Sequence, residues 1–164
     1  MPIPEHVLAL REKVGTDLLW LPGASAYVLR EGSRGPQVLL VRRSDNGRWT
    51  PITGICDPGE EPDVTAQREA LEEACVEIEV ERLIAVSSLI PMEYPNGDRA
   101  QYLDHAFRCR WVSGEARVGD EESTDVQWFE VDGLPDLQPR FYRQLDLALS
   151  EDRPVLFGKE QRER

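Results

Sequence analysis

The order of hydrophobic patterns constrains the fold of this chain most. Strand-like runs dominate, and helical patterns do not alternate regularly with them. Residues 24–30 and 37–43 are apolar, β-prone runs on either side of a Gly- and Pro-containing stretch, 31–36, that reads as a hairpin loop. Further strand patterns fall at 80–90, 101–112 and 126–131, with turn signals at 45–47, 96–97 and 113–114. Helical spacing is confined to 5–14, 63–75 and 138–149, the last with Phe141, Leu145, Ala148 and Leu149 on one side. This order of helix, strands, helix, strands, helix predicts an α+β fold, an α/β/α sandwich with a mixed central sheet, over a doubly wound parallel sheet.

The 164 residues fit one domain with a sizeable core, led by a short helix at about 4–14 and closed by a charged tail at about 158–164. No apolar run approaches the ~18 residues of a membrane span. The start, with Pro2, Pro4, Glu5 and His6, lacks a basic region followed by an apolar core, so no secretory signal is expected. Three cysteines, Cys56, Cys75 and Cys109, are spaced without CxxC pairs, which argues against a disulfide framework or a structural zinc. A cytoplasmic protein is expected.

The balance of 31 acidic against 19 basic residues leaves a net charge of −12, a field that repels the backbone of long nucleic acids. A small phosphorylated substrate is compatible with it when divalent cations lie between protein and phosphate. The helix at 63–75 shows where such ions would bind. At ~100° per residue, Glu73 falls about 40° to one side of Glu69 and Glu72 about 60° to the other, so the three carboxylates share one stripe. Val64, Leu71 and Cys75 fall on the opposite side, which predicts an apolar inner face and an acidic outer one. Like charges at i,i+4 destabilise a helix by a few tenths of a kcal/mol each, and hard cations such as Mg²⁺ relieve this through carboxylate oxygens. By itself this spacing usually marks a solvated face.

The surroundings of the helix change that reading. From Gly54, five residues lead to Glu60, seven more to Arg68 and Glu69, then Ala70 and Leu71, then Glu72 and Glu73, then Ala74, Cys75 and Val76. This resembles the Nudix box, and the strand order, Trp49 to Pro51, and the strand with Trp128 and Phe129 extend the likeness over 18–149. Cys75 departs from it, standing where the family has the Gly that ends the helix. A Cys there predicts a helix that runs on slightly or ends in another way.

The resemblance implies a nucleotide pyrophosphohydrolase using Mg²⁺ or Mn²⁺. Glu69, Glu72 and Glu73 would be metal ligands, with the Gly54 carbonyl and an acidic residue of a later loop, Glu122 before Glu121, completing the set. Glu69 would also deprotonate the attacking water, and Arg68 would orient it. Glu60 would hold the loop rather than the metal. Catalytic work would thus fall to Glu69, Arg68 and Glu72. For the small nucleotide-type substrate the candidate contacts are Arg43, Arg42 and Arg99, with Trp49 for stacking. Core or rim packing is the ordinary use of Trp49, Tyr94 and Tyr102, and a structural role that of His105. The alternative is a Nudix-fold nucleotide sensor without turnover. The N-terminal helix and the apolar residues 18–21 suit a homodimer.

Overall fold

The computed structural model describes residues 3–157. In chain order its elements are α1 (Glu5–Val14), β1 (Leu19–Gly32), β2 (Gly35–Arg43), β3 (Trp49–Thr50), β4 (Ile52–Ile55), α2 (Pro62–Ala74), β5 (Glu77–Ser88), β6 (Met92–Glu93), β7 (Arg99–Ser113), β8 (Ser123–Glu130), α3 (Pro139–Leu149) and β9 (Leu156–Phe157). The charged tail expected at 158–164 lies outside the described residues.

One mixed sheet joins these strands in the order β3-β2-β1-β7-β5-β9, with β4 beside β1, β6 beside β7 and β8 beside β2. β1 runs parallel to β7 and antiparallel to β2 and β4. The pleat of β1 then sorts the core. Ala24, Ala26 and Val28 face α2 in a cluster with Leu39, Ile52 and Cys109, while Tyr27 faces α3 in a second cluster with Leu40, Ala106 and Phe141. A third, smaller cluster, Val7, Leu21 and Ala100, seats α1. This is the expected α+β sandwich.

Three local features stand apart from the sequence patterns. Pro22 and Gly23, a turn signal in sequence, lie inside β1, where the Pro22 carbonyl accepts from the Cys56 N–H at 3.1 Å and the missing proline N–H is not needed for that bond. Four residues around Gly54, too short a pattern to read as a strand, form β4 because β1 supplies the ladder. The third concerns α2: Val64 and Leu71 are exposed, whereas Ala66, Glu69, Ala70, Glu73 and Ala74 are buried. Three alanines let the helix backbone lie close to the sheet, so the inward face needs no large apolar side chain, and two of the carboxylates are carried inward with it.

Candidate metal centre and substrate cavity

The end of α2 sets the local geometry. The helix stops at Ala74, and Cys75 takes the left-handed conformation, φ 58° and ψ 30°, with backbone bonds back to Ala70 and Leu71 carbonyls. The helix therefore ends where the family glycine would end it, and the expectation of a longer helix or another ending is not met. The N–H groups of Gly119 and Arg117 donate to the Glu73 and Ala74 carbonyls at 2.9 and 3.1 Å. These bonds satisfy acceptors that a helix end leaves open. They also lay the loop before β8 across α2, and the Ser44 N–H donates to the Glu122 carbonyl at 2.7 Å. Glu122 thus comes beside the α2 carboxylates. Glu121 is exposed.

Arg68 is the hub of the acidic cluster. Its Nε and Nη2 donate to the two carboxylate oxygens of Glu60 at 2.8 and 2.9 Å, and its Nη1 donates to Glu69 Oε1 at 2.8 Å and Glu72 Oε2 at 3.2 Å. Nη2 also reaches the Ile55 carbonyl at 3.2 Å. The forked guanidinium suits this task, since its donors lie in fixed directions. Glu60 further accepts from Thr65 Oγ1 at 2.7 Å and the Asp57 N–H at 3.2 Å. These bonds, led by Arg68, hold its carboxyl down at about 2. Glu60 is a loop anchor, as the sequence implied.

Glu69 and Glu73 are in the opposite condition. They are 1% and 3% exposed, and one oxygen of each, Oε2, is buried with no hydrogen-bond partner. Burial pushes Glu69 up to about 8 against the pull of Arg68, with Glu72 and Glu122 adding repulsion. Burial pushes Glu73 to about 9, reinforced by Glu69, Glu122 and Asp120. Asp120 is the neighbour that sequence reasoning missed; its only signal was its place in the run 120–122. Gly54 packs directly on Glu69, so that a Cβ there would overlap the Glu69 carboxyl.

Among the described residues no three His, Cys, Asp or Glu side chains are gathered into a group able to hold a metal ion as they stand. Arg68 occupies one oxygen of Glu69 and one of Glu72. The donor set nevertheless fits a hard divalent cation. Two buried carboxylate oxygens lack any partner, an expensive condition that a cation removes.

Beside this cluster lies a cavity of about 1240 Å³ whose rim includes Gly54, Glu122 and Arg43. Its walls are mainly apolar, with a few convergent polar groups, the usual character of a small-molecule site. Arg43 holds Asp45 through two bonds of 2.9 and 2.7 Å, which raise its pKa further. The other substrate candidates lie elsewhere. Arg42 turns its Nε to the Gly47 carbonyl at 3.0 Å. Arg99 binds the Thr16 carbonyl at 3.4 Å and pairs with Asp17 at 3.7 Å. Trp49 packs edge-on against Phe129, ring centroids 4.9 Å apart, in the cluster beneath α3. Alternation along β2 explains Arg42, which points away from the face that carries Arg43. His105 is structural, its Nδ1 3.0 Å from the Gly23 carbonyl. Arg11, Arg48, Arg140 and Arg143 line the cavity without any sequence signal for it.

Comparison with known proteins agrees with this geometry. The NUDIX domain family model matches residues 20–148. A MutT-like protein of Streptomyces ambofaciens is 32% identical over 118 residues, 72% of this chain and 69% of its own length. An NAD-capped RNA hydrolase NudC of Erwinia tasmaniensis is 31% identical over 108 residues, 65% of this chain but only 38% of its own length. The crystal structure of a UDP-X diphosphatase superposes with a TM-score of 0.62 at 23% identity, covering 88% of this chain and 68% of that one. The chain belongs to the NUDIX family, and its domain is a Nudix hydrolase domain.

Proposed function

We propose that this domain hydrolyses a phosphoanhydride bond in a nucleoside diphosphate linked to another moiety, of nucleoside triphosphate or ADP-ribose type, with Mg²⁺ or Mn²⁺. Glu69, Glu72, Glu73, the Gly54 carbonyl and Glu122 are the residues to hold the ions. The observation that carries the reading is the pair of buried, unpartnered oxygens, Glu69 Oε2 and Glu73 Oε2, beside a cavity that reaches Gly54. When bound, the ions supply charge neutralisation of the diphosphate and a more acidic water.

The protein's own part is positioning. Arg68 fixes Glu69 through Oε1 and so orients its carboxylate, the group proposed to help take the proton of the attacking water. Glu60 in turn fixes Arg68, so the loop and helix hold one register. Arg43, braced by Asp45, stands at the cavity rim to receive a phosphate oxygen. The products are a nucleoside monophosphate and pyrophosphate or a phosphorylated sugar.

The NudC relative, an NAD-capped RNA hydrolase by name, supports a nucleotide-type substrate and adds an NAD-capped RNA end to the substrates worth testing. Among the described residues no helix is long and apolar enough to cross a membrane. The cytoplasmic placement, the single domain over 1–164 and the homodimer stand as parts of the same proposal.

The test is a panel of nucleoside triphosphates, ADP-ribose, UDP-sugars, NAD and NAD-capped RNA, each with Mg²⁺ and Mn²⁺. Glu69→Gln and Glu72→Gln run beside the wild type. Turnover of at least one substrate, lost in both variants, is expected. No turnover on the whole panel favours the sensor, and unchanged activity in both variants refutes the carboxylate roles.

A further inference from the structure

The cavity continues away from the acidic cluster, along the sheet face opposite α2. Gly54 on β4 pairs with Ala24 on β1, and the neighbouring Gly23 pairs with Asp104 on β7. Two strand spacings, roughly 10 Å, separate the two ends. At the far end Ser25 Oγ donates to Asp104 Oδ1 at 2.7 Å and Gln144 Nε2 to Asp104 Oδ2 at 3.3 Å. The Tyr27 hydroxyl donates to Gln144 Oε1 at 2.6 Å. All four side chains are buried, and all are satisfied within the set. Burial pushes Asp104 above the usual carboxylate range, against the pull of Arg140. A network of this kind rigidifies whatever it supports.

It supports Arg140, in the first turn of α3. The guanidinium carbon sits 4.2 Å from the Phe141 ring centroid, and Nη1 lies 3.7 Å from Asp104 Oδ2, too far for a hydrogen bond. Among the described residues the Arg140 side chain makes no hydrogen bond, and its buried Nη1 has the Asp104 ion pair but no hydrogen-bond acceptor. A guanidinium has five donors and no acceptor. Here it is held in place by a ring and a carboxylate, lines a cavity and spends none of its donors on the protein.

The surroundings narrow what those donors meet. Asp104 offsets the charge of Arg140, so this end does not call for a second phosphate dianion. Ala85, Leu147 and Leu156 line the cavity nearby and suit an uncharged flat group. We propose that Arg140 is a specificity-determining residue that donates to a carbonyl oxygen or ring nitrogen of the substrate's nucleobase. The assignment rests on the nucleoside diphosphate reading above for the placement of the phosphates at Gly54, with the ribose spanning the interval between.

Binding of AMP, GMP, CMP and UMP is compared with that of ribose 5-phosphate in Mg²⁺, since none of these carries an anhydride. Measurements use wild type, Arg140→Gln and Arg140→Lys, with unfolding midpoints for each. At least one monophosphate is expected to bind about tenfold or more tighter than ribose 5-phosphate, the worth of one buried hydrogen bond to a charged donor. Both variants lose most of that ratio while ribose 5-phosphate affinity stays unchanged. Arg140→Lys keeps the charge beside Asp104 and decides the matter if Arg140→Gln lowers the midpoint. Equal binding of all five compounds, or a ratio unchanged in Arg140→Lys, overturns the assignment. So does a nucleoside 3′,5′-bisphosphate whose second phosphate, rather than the base, supplies the Arg140-dependent gain. The turnover panel separates this from the reading beneath it. Turnover without base-dependent binding removes Arg140 alone; base-dependent binding without turnover removes hydrolysis alone.

Discussion

Replacing Gly54 by Ala tests the seam between β4 and α2 directly. The φ of Gly54 is not in the left-handed region, so the backbone would accept an L side chain. The obstacle is steric: the new methyl would overlap the Glu69 carboxyl. An ordinary contact of about 3.5 Å requires the carboxyl to retreat by more than about 1 Å. Glu69 is only 1% exposed, with Oε1 fixed on Arg68, so retreat also strains that bond. Overpacking of this sort costs about 1–3 kcal/mol, which for a domain of this size lowers Tm by roughly 2–12 °C. A double-mutant cycle isolates the cause. In a Glu69→Ala background the methyl meets no carboxyl, and the cost of Gly54→Ala should fall close to zero, a coupling of at least about 1 kcal/mol. Thermal and urea unfolding in EDTA supply the numbers without reliance on metal or substrate. A Gly54→Ala cost that is the same in both backgrounds, within about 0.5 kcal/mol, would refute the argument that this glycine exists to admit Glu69.

The remaining predictions concern charge, the helix end and assembly. Glu69 and Glu73 sit at about 8 and about 9, raised above the unfolded value of 4.5, so their contribution to stability is full below about pH 4.5 and is lost as pH rises toward 8–9. The metal-free Tm should therefore fall across that window, and saturating Mg²⁺ should raise Tm more at pH 8 than at pH 5; an equal increment at both would contradict the cluster described. Glu60, lowered to about 2, acts with the opposite sign, and its support disappears as pH falls from about 4.5 toward 2. Glu60→Gln should flatten acid unfolding over that range without moving the alkaline limb. Cys75 pays the left-handed penalty of about 1–2 kcal/mol, and Gly there gives back part of the gain in unfolded-chain entropy. Cys75→Gly is thus expected to stabilise by about 0.5–1 kcal/mol and Cys75→Ala not at all, as calorimetry would show. Leu8, Leu10, Val14 and Leu18 are exposed on and just after α1. Light scattering should give the mass of a dimer, with Leu10→Glu shifting it to a monomer; a monomeric wild type sinks the dimer.

Sequence periodicity by itself determined the layer architecture, because strands of period 2 and three isolated helices leave few ways to bury both faces of a sheet. Spacing alone also located the acidic helix, since Gly54, Glu60 and Arg68 lie within a turn and a loop of it. The roles expected of Arg68 and Glu60 came from the resemblance of that spacing to the Nudix box, and the structure has Arg68 bonded to both Glu60 and Glu69. Only the tertiary structure decided which face of α2 turns inward. Angles around a helix rank side chains by hydrophobicity, whereas close approach to the sheet depended on the small volume of Ala66, Ala70 and Ala74. The same holds for the substrate side. Arg42, Arg43 and Arg99 are alike in composition, but the pleat of a strand and local carbonyls sent two of them away from the cavity. Arg140 entered its wall from a helix far along the chain. Glu122 and Asp120 reached the cluster only because the end of α2 needed donors for its last carbonyls and their loop supplied them.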